Sequence, residues 1–227
     1  MDDRPLIVVC GATGNQGGAV VDALLARGTW QLAALVRNPE RGRKLAERGV
    51  ELRRGDFLDE GSLVTAFSGA HAVFGITQPW SPDYRRVDPA IELRQGKTLI
   101  NACAAARTKL IFSTALLRDD KPTGLPHVDS KLELEGYLRK KNLPAAVLGP
   151  GSFMDNIGLE IFPVRRGKVR GFVDADAKVP LIACRDIGRA TASVLDDLDA
   201  HLGKRLNLVT GMYSGLDICD ALSRVRG

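Results

Sequence analysis

The sequence predicts an α/β protein of the Rossmann type, in which a doubly wound parallel sheet carries a small C-terminal lobe. The apolar run Leu6–Val9 leads into a glycine-rich turn and then into a helix that begins at Asn15. A second apolar run, Gln31–Val36, completes a βαβ unit, and strand-like and helix-like patterns alternate along the rest of the chain. We expect a dinucleotide-binding domain over residues 1–150 and, interleaved with its core, a substrate or partner lobe over residues 151–227.

The later elements follow from the same alternation of apolar patterns. The further predicted strands are 50–54, Ala72–Ile76, Lys109–Ser113, 145–148, 168–173, 178–183 and 206–209. The further predicted helices are 41–48, Glu60–Phe67, a long helix through Ile91, Leu99 and Cys103, one through Leu132, Glu135 and Leu138, one through Ile187, Thr191, Val194 and Leu198 with Asp186 as its N-cap, and a last one through Ile218, Leu222 and Val225.

The glycine-rich turn after the first strand carries the main functional signal. Gly11, Gly14 and Gly17 are spaced as G-x-x-G-x-x-G rather than the commoner G-x-G-x-x-G. The first glycine allows a tight turn, the second a close approach of phosphate, and the third close packing of helix on strand, while the helix N-terminus attracts the anion. We therefore expect a pyrophosphate to be held by Gly11, Ala12, Thr13, Gly14, Asn15, Gln16 and Gly17.

The end of the second strand indicates which dinucleotide binds. An NAD site usually has an acidic residue about 20 residues after the glycines, and here Arg37 occupies the place twenty after Gly17. A guanidinium pairs with a 2′-phosphate through a planar fork, so the sequence favours NADP(H), and Arg41 adds to the positive patch. Arg43 and Lys44 are read equally well as a solvated basic helix start.

Strands of a doubly wound sheet direct their carboxyl ends towards the ligand, which nominates further contacts. Asp56 is expected to accept from the adenine amine, or else to cap a turn. Phe57 is expected to cover the adenine ring, and a loop at Gly151, Ser152 and Phe153 is expected to cover the nicotinamide, unless Phe153 belongs to the core. The candidates at these strand ends are Asp56, Phe57, Thr77, Gln78, Pro79, Gly151, Ser152 and Phe153.

Composition sets the broad class of the protein. The chain has 227 residues, 44% of them hydrophobic, and a net charge of +5 without an aromatic-interleaved basic stripe, so direct binding to nucleic acid is not expected. Four cysteines form no C-x-x-C pair and three histidines lack ligand spacing, which predicts reduced thiols and no metal site. With no signal peptide and no membrane-spanning run in this sequence, the expected compartment is the cytoplasm.

These residues together resemble the NmrA-like family, an atypical branch of the short-chain dehydrogenase/reductase superfamily. The resemblance implies NADP(H) bound by the glycine turn, Arg37, the Asp56 and Thr77 corners, Lys131 and the segment that ends at Met154. The family includes NADPH-sensing regulators and reductases of quinones or other small carbonyl and enone compounds. The matching pieces, in family order, are residues 11–18, 36–39, 55–59, 95–97, 127–131, 153–156 and 186–188.

The superfamily's catalytic pair is Tyr-x-x-x-Lys, in which the phenol acts as acid and base and the lysine holds the nicotinamide ribose. Here Lys131 is present, but His127 stands where the tyrosine would be. His127, Lys131 or a water bound with the substrate are the candidate proton donors, and a loop role for His127 stays open. Gly149 also precedes Pro150 where many relatives have arginine.

Two functions remain open from the sequence, beside a scaffold that binds no cofactor tightly. One is an NADPH-dependent reductase of a small electron-poor substrate, with Lys131 or His127 supplying a proton. The other is a redox sensor that binds a regulatory protein partner according to the state of its cofactor. The missing tyrosine favours the second, as does the end of the chain at Gly227, which predicts a shortened lobe with an open pocket.

Overall fold

The computed structural model describes residues 3–79, 86–117, 119, 121–159, 163–165, 168–169 and 174–226. The strands are β1 (Leu6–Val9), β2 (Gln31–Val36), β3 (Glu51–Arg54), β4 (Ala72–Ile76), β5 (Lys109–Ser113), β6 (Ala145–Pro150), β7 (Ser152–Phe153), β8 (Val164–Arg165), β9 (Lys168–Val169), β10 (Val179–Ile182), β11 (Arg205–Leu208) and β12 (Gly211–Tyr213). The α-helices are α1 (Asn15–Arg27), α2 (Arg43–Ala46), α3 (Glu60–Phe67), α4 (Pro89–Ala105), α5 (Pro126–Lys140), α6 (Cys184–Asp196), α7 (Leu198–His201) and α8 (Gly215–Arg226).

Within the described residues, seven parallel strands form the central sheet, in the order β11-β6-β5-β4-β1-β2-β3. Successive β1 side chains face opposite sides, so Ile7 and Val9 join one buried cluster while Val8 joins the other. Helices α1 and α6 supply the first cluster, and α3, α4 and α5 supply the second. The predicted Rossmann-type doubly wound sheet is therefore confirmed.

The strand order places a crevice above the carboxyl end of β1. The chain runs outward from β1 through β2 to β3 on one side, and through β4, β5 and β6 on the other. At such a reversal the crossover helices lie on opposite faces and leave room for a ligand between them. The turn after β1 thus lies at the place where this fold binds ligands.

Close packing of α6 on α1 fixes the helix that follows the glycine turn. A Cβ at Gly188 would lie 2.2 Å from the carbonyl oxygen of Ala19, so only glycine permits this approach of the two backbones. Helix α1 ends where Gly28 adopts φ +69° in the left-handed region and donates its N–H to the Leu24 carbonyl. Both ends of α1 are thereby held firmly in place.

The segment after residue 150 builds a smaller sheet and also returns to the large one. Strand β10 pairs in parallel with β7 and antiparallel with β12, while β8 and β9 form an antiparallel pair. Strand β11 joins the edge of the central sheet beside β6. The division of the chain into a domain over residues 1–150 and an interleaved lobe over residues 151–227 stays a prediction.

Several predicted elements differ from those observed. The predicted helix 41–48 is a 3₁₀ turn, Pro39–Gly42, followed by the short α2. Asp186 is not the N-cap of α6, because that helix already begins at Cys184 and Asp186 lies in its first turn. Leu198 begins the separate helix α7 instead of continuing α6. Of the predicted strand 168–173, residues 168–169 are observed as β9 and residues 170–173 lie outside the described residues.

Candidate functional site

The glycine turn has the geometry expected of a phosphate cradle. Gly11 adopts φ +66°, which L side chains rarely tolerate, and the Gly14 N–H donates to the Gly11 carbonyl at 2.9 Å. A Cβ at Gly17 would lie 2.3 Å from that carbonyl oxygen, so the third glycine is required where α1 packs beneath the turn. Gly11 is therefore required by its backbone conformation, and Gly17 by the close approach of α1 to the turn.

The N-terminus of α1 is left available to an anion. Its N-cap, Gly14, has no side chain with which to satisfy the first free N–H groups, and the first turn holds no acidic residue. The positive end of the helix dipole and these donors face the crevice together. The arrangement suits a pyrophosphate.

A cavity of about 710 Å³ opens at the glycine turn and extends to the end of β2 and β3. It is lined by Gly11, Thr13, Gly14, Leu35, Val36, Arg37, Asn38, Arg41, Gly55, Asp56, Phe57, Ile76, Thr77, Gln78 and Gln95. Nine of the predicted cofactor residues thus meet on one surface, although they come from four separate strand ends. A cavity of this size lies in the range typical of ligand sites.

Two arginines form the positive end of this cavity. Arg37 and Arg41 are both exposed, and within the described part of the chain neither side chain makes an ion pair. The Asn38 side chain accepts from the Glu40 N–H at 3.0 Å and so caps the 3₁₀ turn Pro39–Gly42 that carries Arg41. The cap stabilises the turn that brings Arg41 to the cavity beside Arg37, and two guanidinium groups there would suit a 2′-phosphate.

The end of β3 places Asp56 and Phe57 on the cavity wall. Asp56 also stabilises its own turn, because its Oδ1 accepts from the Leu58 N–H at 2.9 Å while its N–H donates to the Ser62 hydroxyl at 3.0 Å. The turn-capping role that the sequence left open is therefore present. A contact between Asp56 and adenine stays a prediction.

Gln95 is a cavity residue that the site prediction missed. It belongs to a stretch that carried the family resemblance, but it lies inside α4 and not at the end of a strand, where ligand contacts are expected in this fold. Gln16 was predicted at the turn, and its amide donates to the Ser113 hydroxyl at 2.6 Å, which links α1 to the end of β5. This hydrogen bond therefore joins two elements of the protein to each other.

The Lys131 side chain points inward and is almost fully buried. Its ammonium donates to the Thr77 carbonyl at 2.7 Å and to the Thr77 hydroxyl at 2.8 Å, and it pairs with the Glu92 carboxylate at 2.5 Å. Burial lowers the pKa of Lys131, and the neighbouring carboxylate of Glu92 opposes that shift. Glu92 was not predicted, because a lone acid in a helix has no sequence signature.

His127 lies in the first turn of α5, after Pro126, and its side chain is exposed. It is a helix residue, so the alternative of a loop role does not hold. It does not line the described cavity, and neither does Lys131. A catalytic role for either residue stays a prediction.

Within the segment 151–154, Ser152 and Phe153 form the short strand β7 rather than a covering loop. Ser152 and Phe153 pair with Leu181 and Ile182 of β10, and Met154 opens a 3₁₀ turn. The sequence missed β7 because two residues carry no periodicity. The contact of residues 151–154 with a cofactor, like that of Ala12, Asn15, Gly17 and Pro79, stays a prediction.

A comparison with known protein families decides the family of this chain. The profile of the NmrA-like family matches residues 3–227.

The chain belongs to the NmrA-like family.

Individual relatives include enzymes and a regulator. Quinone oxidoreductase 2 of Escherichia coli (strain K12) is 30% identical over 202 residues, which cover 88% of this chain and 66% of that protein. The Citrobacter sp. triphenylmethane reductase, crystallised with NADP(H), is 25% identical with a TM-score of 0.78 over 98% of this chain and 76% of that one. NmrA, a negative transcriptional regulator, is 25% identical with a TM-score of 0.80 over 98% and 72%.

This NmrA-like chain is shorter than its curated relatives. It spans 66%, 61% and 52% of the length of three of them, all oxidoreductases. In its described part, no helix is long and apolar enough to cross a membrane. The same residues contain no group of three or more histidine, cysteine or acidic side chains that could hold a metal ion.

Proposed function

We propose that this NmrA-like protein is an NADP(H)-dependent oxidoreductase that reduces a small quinone or enone in the cytoplasm. The observation that carries the proposal is the cavity that joins an uncapped helix N-terminus to Arg37 and Arg41. One end of this surface fits a pyrophosphate and the other a 2′-phosphate. The similarity to a quinone oxidoreductase and to a reductase crystallised with NADP(H) supports both the cofactor and the reaction class.

The residues that line the cavity supply the groups that NADP(H) would need. The glycine turn would hold the pyrophosphate, Arg37 and Arg41 the 2′-phosphate, and Phe57 the adenine face. When bound, the cofactor supplies a hydride. The cytoplasmic assignment is supported by the four cysteines, which are all free thiols as expected in a reducing compartment.

The charged residues of the cavity favour a particular class of substrate. Its described lining contains Arg37, Arg41 and Asp56 as its charged side chains, and neither His127 nor Lys131 belongs to it. The Lys131 ammonium already has three acceptors within the protein. With neither His127 nor Lys131 in the described lining, the site favours a substrate whose reduction gives an anion that is stable until water protonates it, such as a hydroquinone monoanion or an enolate rather than a simple alkoxide.

The test is NADPH oxidation with a panel of quinones, enones and simple ketones. We expect turnover with the first two groups, none with the ketones, and loss of turnover in Arg37→Glu. Lys44→Glu is the control, because Lys44 carries the same charge on the neighbouring helix but does not line the cavity. Absence of NADPH oxidation above buffer with every quinone and enone would reject the proposal.

A second candidate is a redox sensor that presents different surfaces to a regulatory protein partner in its NADPH, NADP⁺ and cofactor-free states. It is favoured by the exposed position of His127, which does not belong to the described lining of the cavity, and by the similarity to the regulator NmrA. Co-elution with a partner that depends on the added cofactor would support it. Identical elution in all three states would exclude it.

A further inference from the structure

Four polar side chains form a buried cluster behind the cofactor cavity, here called the Lys131 cluster: Thr77, Glu92, Ser130 and Lys131. Glu92 is 0% exposed and Lys131 is 6% exposed, so both charges lie in the protein interior. Thr77 follows the end of β4, Glu92 lies on α4, and Ser130 and Lys131 lie on α5. A buried ion pair is costly to maintain, and a broken one is costlier still, so its arrangement constrains all three elements.

Every donor of the cluster has an acceptor, and Glu92 accepts most of them. Its Oε1 accepts from the Lys131 ammonium at 2.5 Å and from the Thr77 hydroxyl at 2.9 Å. Its Oε2 accepts from the Ser130 hydroxyl at 2.5 Å. The remaining two ammonium protons go to the Thr77 carbonyl and hydroxyl oxygens, at 2.7 and 2.8 Å.

The cluster touches the cofactor cavity through Thr77. Thr77 lines the cavity, whereas Glu92, Ser130 and Lys131 do not. We propose that Glu92 is a positioning residue of the cofactor site, which keeps the Lys131 ammonium charged and in place so that Lys131 holds the Thr77 backbone at the cavity wall. This inference rests on the proposed binding of NADP(H) at that cavity.

Electrostatics explain why a carboxylate is needed at this position. Burial lowers the pKa of Lys131, and Glu92 is the charge that opposes it. Among the other charged residues of α4 and α5, Lys97 pairs with Glu133 on the exposed side, Asp129 accepts from Thr123 and Gly124, and Glu135 pairs with Arg205. A neutral amine has two protons instead of three, so one acceptor would lose its donor.

The variant Glu92→Gln keeps the size and one acceptor oxygen but removes the charge. The pKa of Lys131 then falls further, and the hold on Thr77 is lost at a lower pH than in the wild type. In a titration from pH ~6.5 to ~9.5, we expect the NADPH dissociation constant of Glu92→Gln to rise at a lower pH than that of the wild type. The rise should be roughly tenfold, the scale seen when the partner behind a metal-binding ligand is removed.

A second buried acid, Glu135 on α5, offers a matched control for Glu92 on α4. Glu135 is 1% exposed, accepts from the Thr114 hydroxyl at 2.6 Å, and pairs with Arg205 at 3.0 Å. It does not line the cofactor cavity. Because arginine stays charged at all these pH values, Glu135→Gln should lower the melting temperature like Glu92→Gln but leave the pH profile of NADPH binding unchanged.

The experiment measures NADPH binding by fluorescence, together with melting temperature, for the wild type and both variants. A wild-type profile in Glu92→Gln, or an equal shift in Glu135→Gln, overturns the inference. If Glu92→Gln does not fold, Ser130→Ala replaces it; this variant removes one hydrogen bond to Glu92, so we expect about fivefold weaker NADPH binding, and unchanged binding overturns the inference.

Binding and turnover separate this inference from the proposed function. If the wild type binds NADPH but reduces no quinone or enone, the reductase proposal fails, and the shifted binding profile of Glu92→Gln still supports the positioning role. If the wild type does not bind NADPH at all, both are overturned.

Discussion

The substitution Gly17→Ala tests the phosphate cradle at a single atom. The added Cβ would lie 2.3 Å from the Gly11 carbonyl oxygen and 2.4 Å from its carbonyl carbon, both backbone atoms that cannot rotate away. To reach an ordinary contact of 3.4 Å, the turn and α1 must separate by 3.4 − 2.3 = 1.1 Å. A shift of this size would break a hydrogen bond from the turn to the pyrophosphate, and a hydrogen bond to a charged group is worth ~1.5–3 kcal/mol, so we expect NADPH to bind about 10–100-fold more weakly.

The effect of Gly17→Ala on stability is smaller, because two contributions oppose each other. Overpacking costs about 1–3 kcal/mol, whereas alanine gains about 0.8–1.0 kcal/mol over glycine inside a helix. The net loss of about 0–2 kcal/mol lowers the melting temperature by up to ~8 °C in a chain of this length. Binding should therefore fall far more than stability.

The neighbouring residue supplies the control for this prediction. A Cβ at Gly18 would lie 3.4 Å from the Ala12 carbonyl oxygen, which is an ordinary van der Waals contact. Gly18→Ala should therefore bind NADPH like the wild type and melt at the same or a higher temperature. Fluorescence titration and thermal melting measure both quantities. Equal NADPH affinity in Gly17→Ala and Gly18→Ala would refute the cradle geometry.

Three further predictions concern charge, helix propensity and acid stability. Arg37→Glu should weaken NADPH binding by about 10–100-fold, since a charge-assisted hydrogen bond is worth ~1.5–3 kcal/mol, and leave NADH binding unchanged in the same titration; equal losses would contradict the 2′-phosphate assignment. Gly136→Ala, with nothing within 4 Å of its added Cβ, should stabilise α5 by ~1 kcal/mol in urea unfolding, and a destabilisation would contradict the helix geometry. Hydrogen bonds from Thr123 and Gly124 hold the pKa of Asp129 below its usual range, so the stability that its carboxylate contributes is present above the pKa of the unfolded chain and is lost as the pH falls through the lower folded value. Asp129→Asn should therefore be less stable than the wild type at neutral pH, with a difference in unfolding free energy that shrinks below about pH 4. A difference that stays constant with pH would contradict this prediction.

The sequence predicted the strands of the central sheet well because the signal for each strand lies within a few consecutive residues. Leu6–Val9 and Ala72–Ile76 are unbroken apolar runs, and both were predicted at their observed bounds. The short elements were harder. The 3₁₀ turn Pro39–Gly42 and strand β7 are too brief to show a period, and their geometry depends on the capping Asn38 and on pairing with β10.

The cofactor site was predicted where backbone rules apply and missed where side chains meet across the fold. Carboxyl ends of parallel strands share one edge, so Arg37, Asp56 and Thr77 could be grouped from sequence alone. Glu92 and Gln95 lie within α4, at positions that become part of the site only through helix packing. The inward direction of Lys131 likewise follows from its pairing with Glu92, which no spacing encodes.

The central claim is that this cavity binds NADP(H) in preference to NAD(H), and a paired fluorescence titration of the wild type with NADPH and NADH tests it most directly. The two ligands differ in the 2′-phosphate alone, so their ratio of dissociation constants isolates the contribution of Arg37 and Arg41. We expect NADPH to bind at least about tenfold more tightly, from one or more charge-assisted hydrogen bonds. Equal affinities, or tighter binding of NADH, would contradict the account.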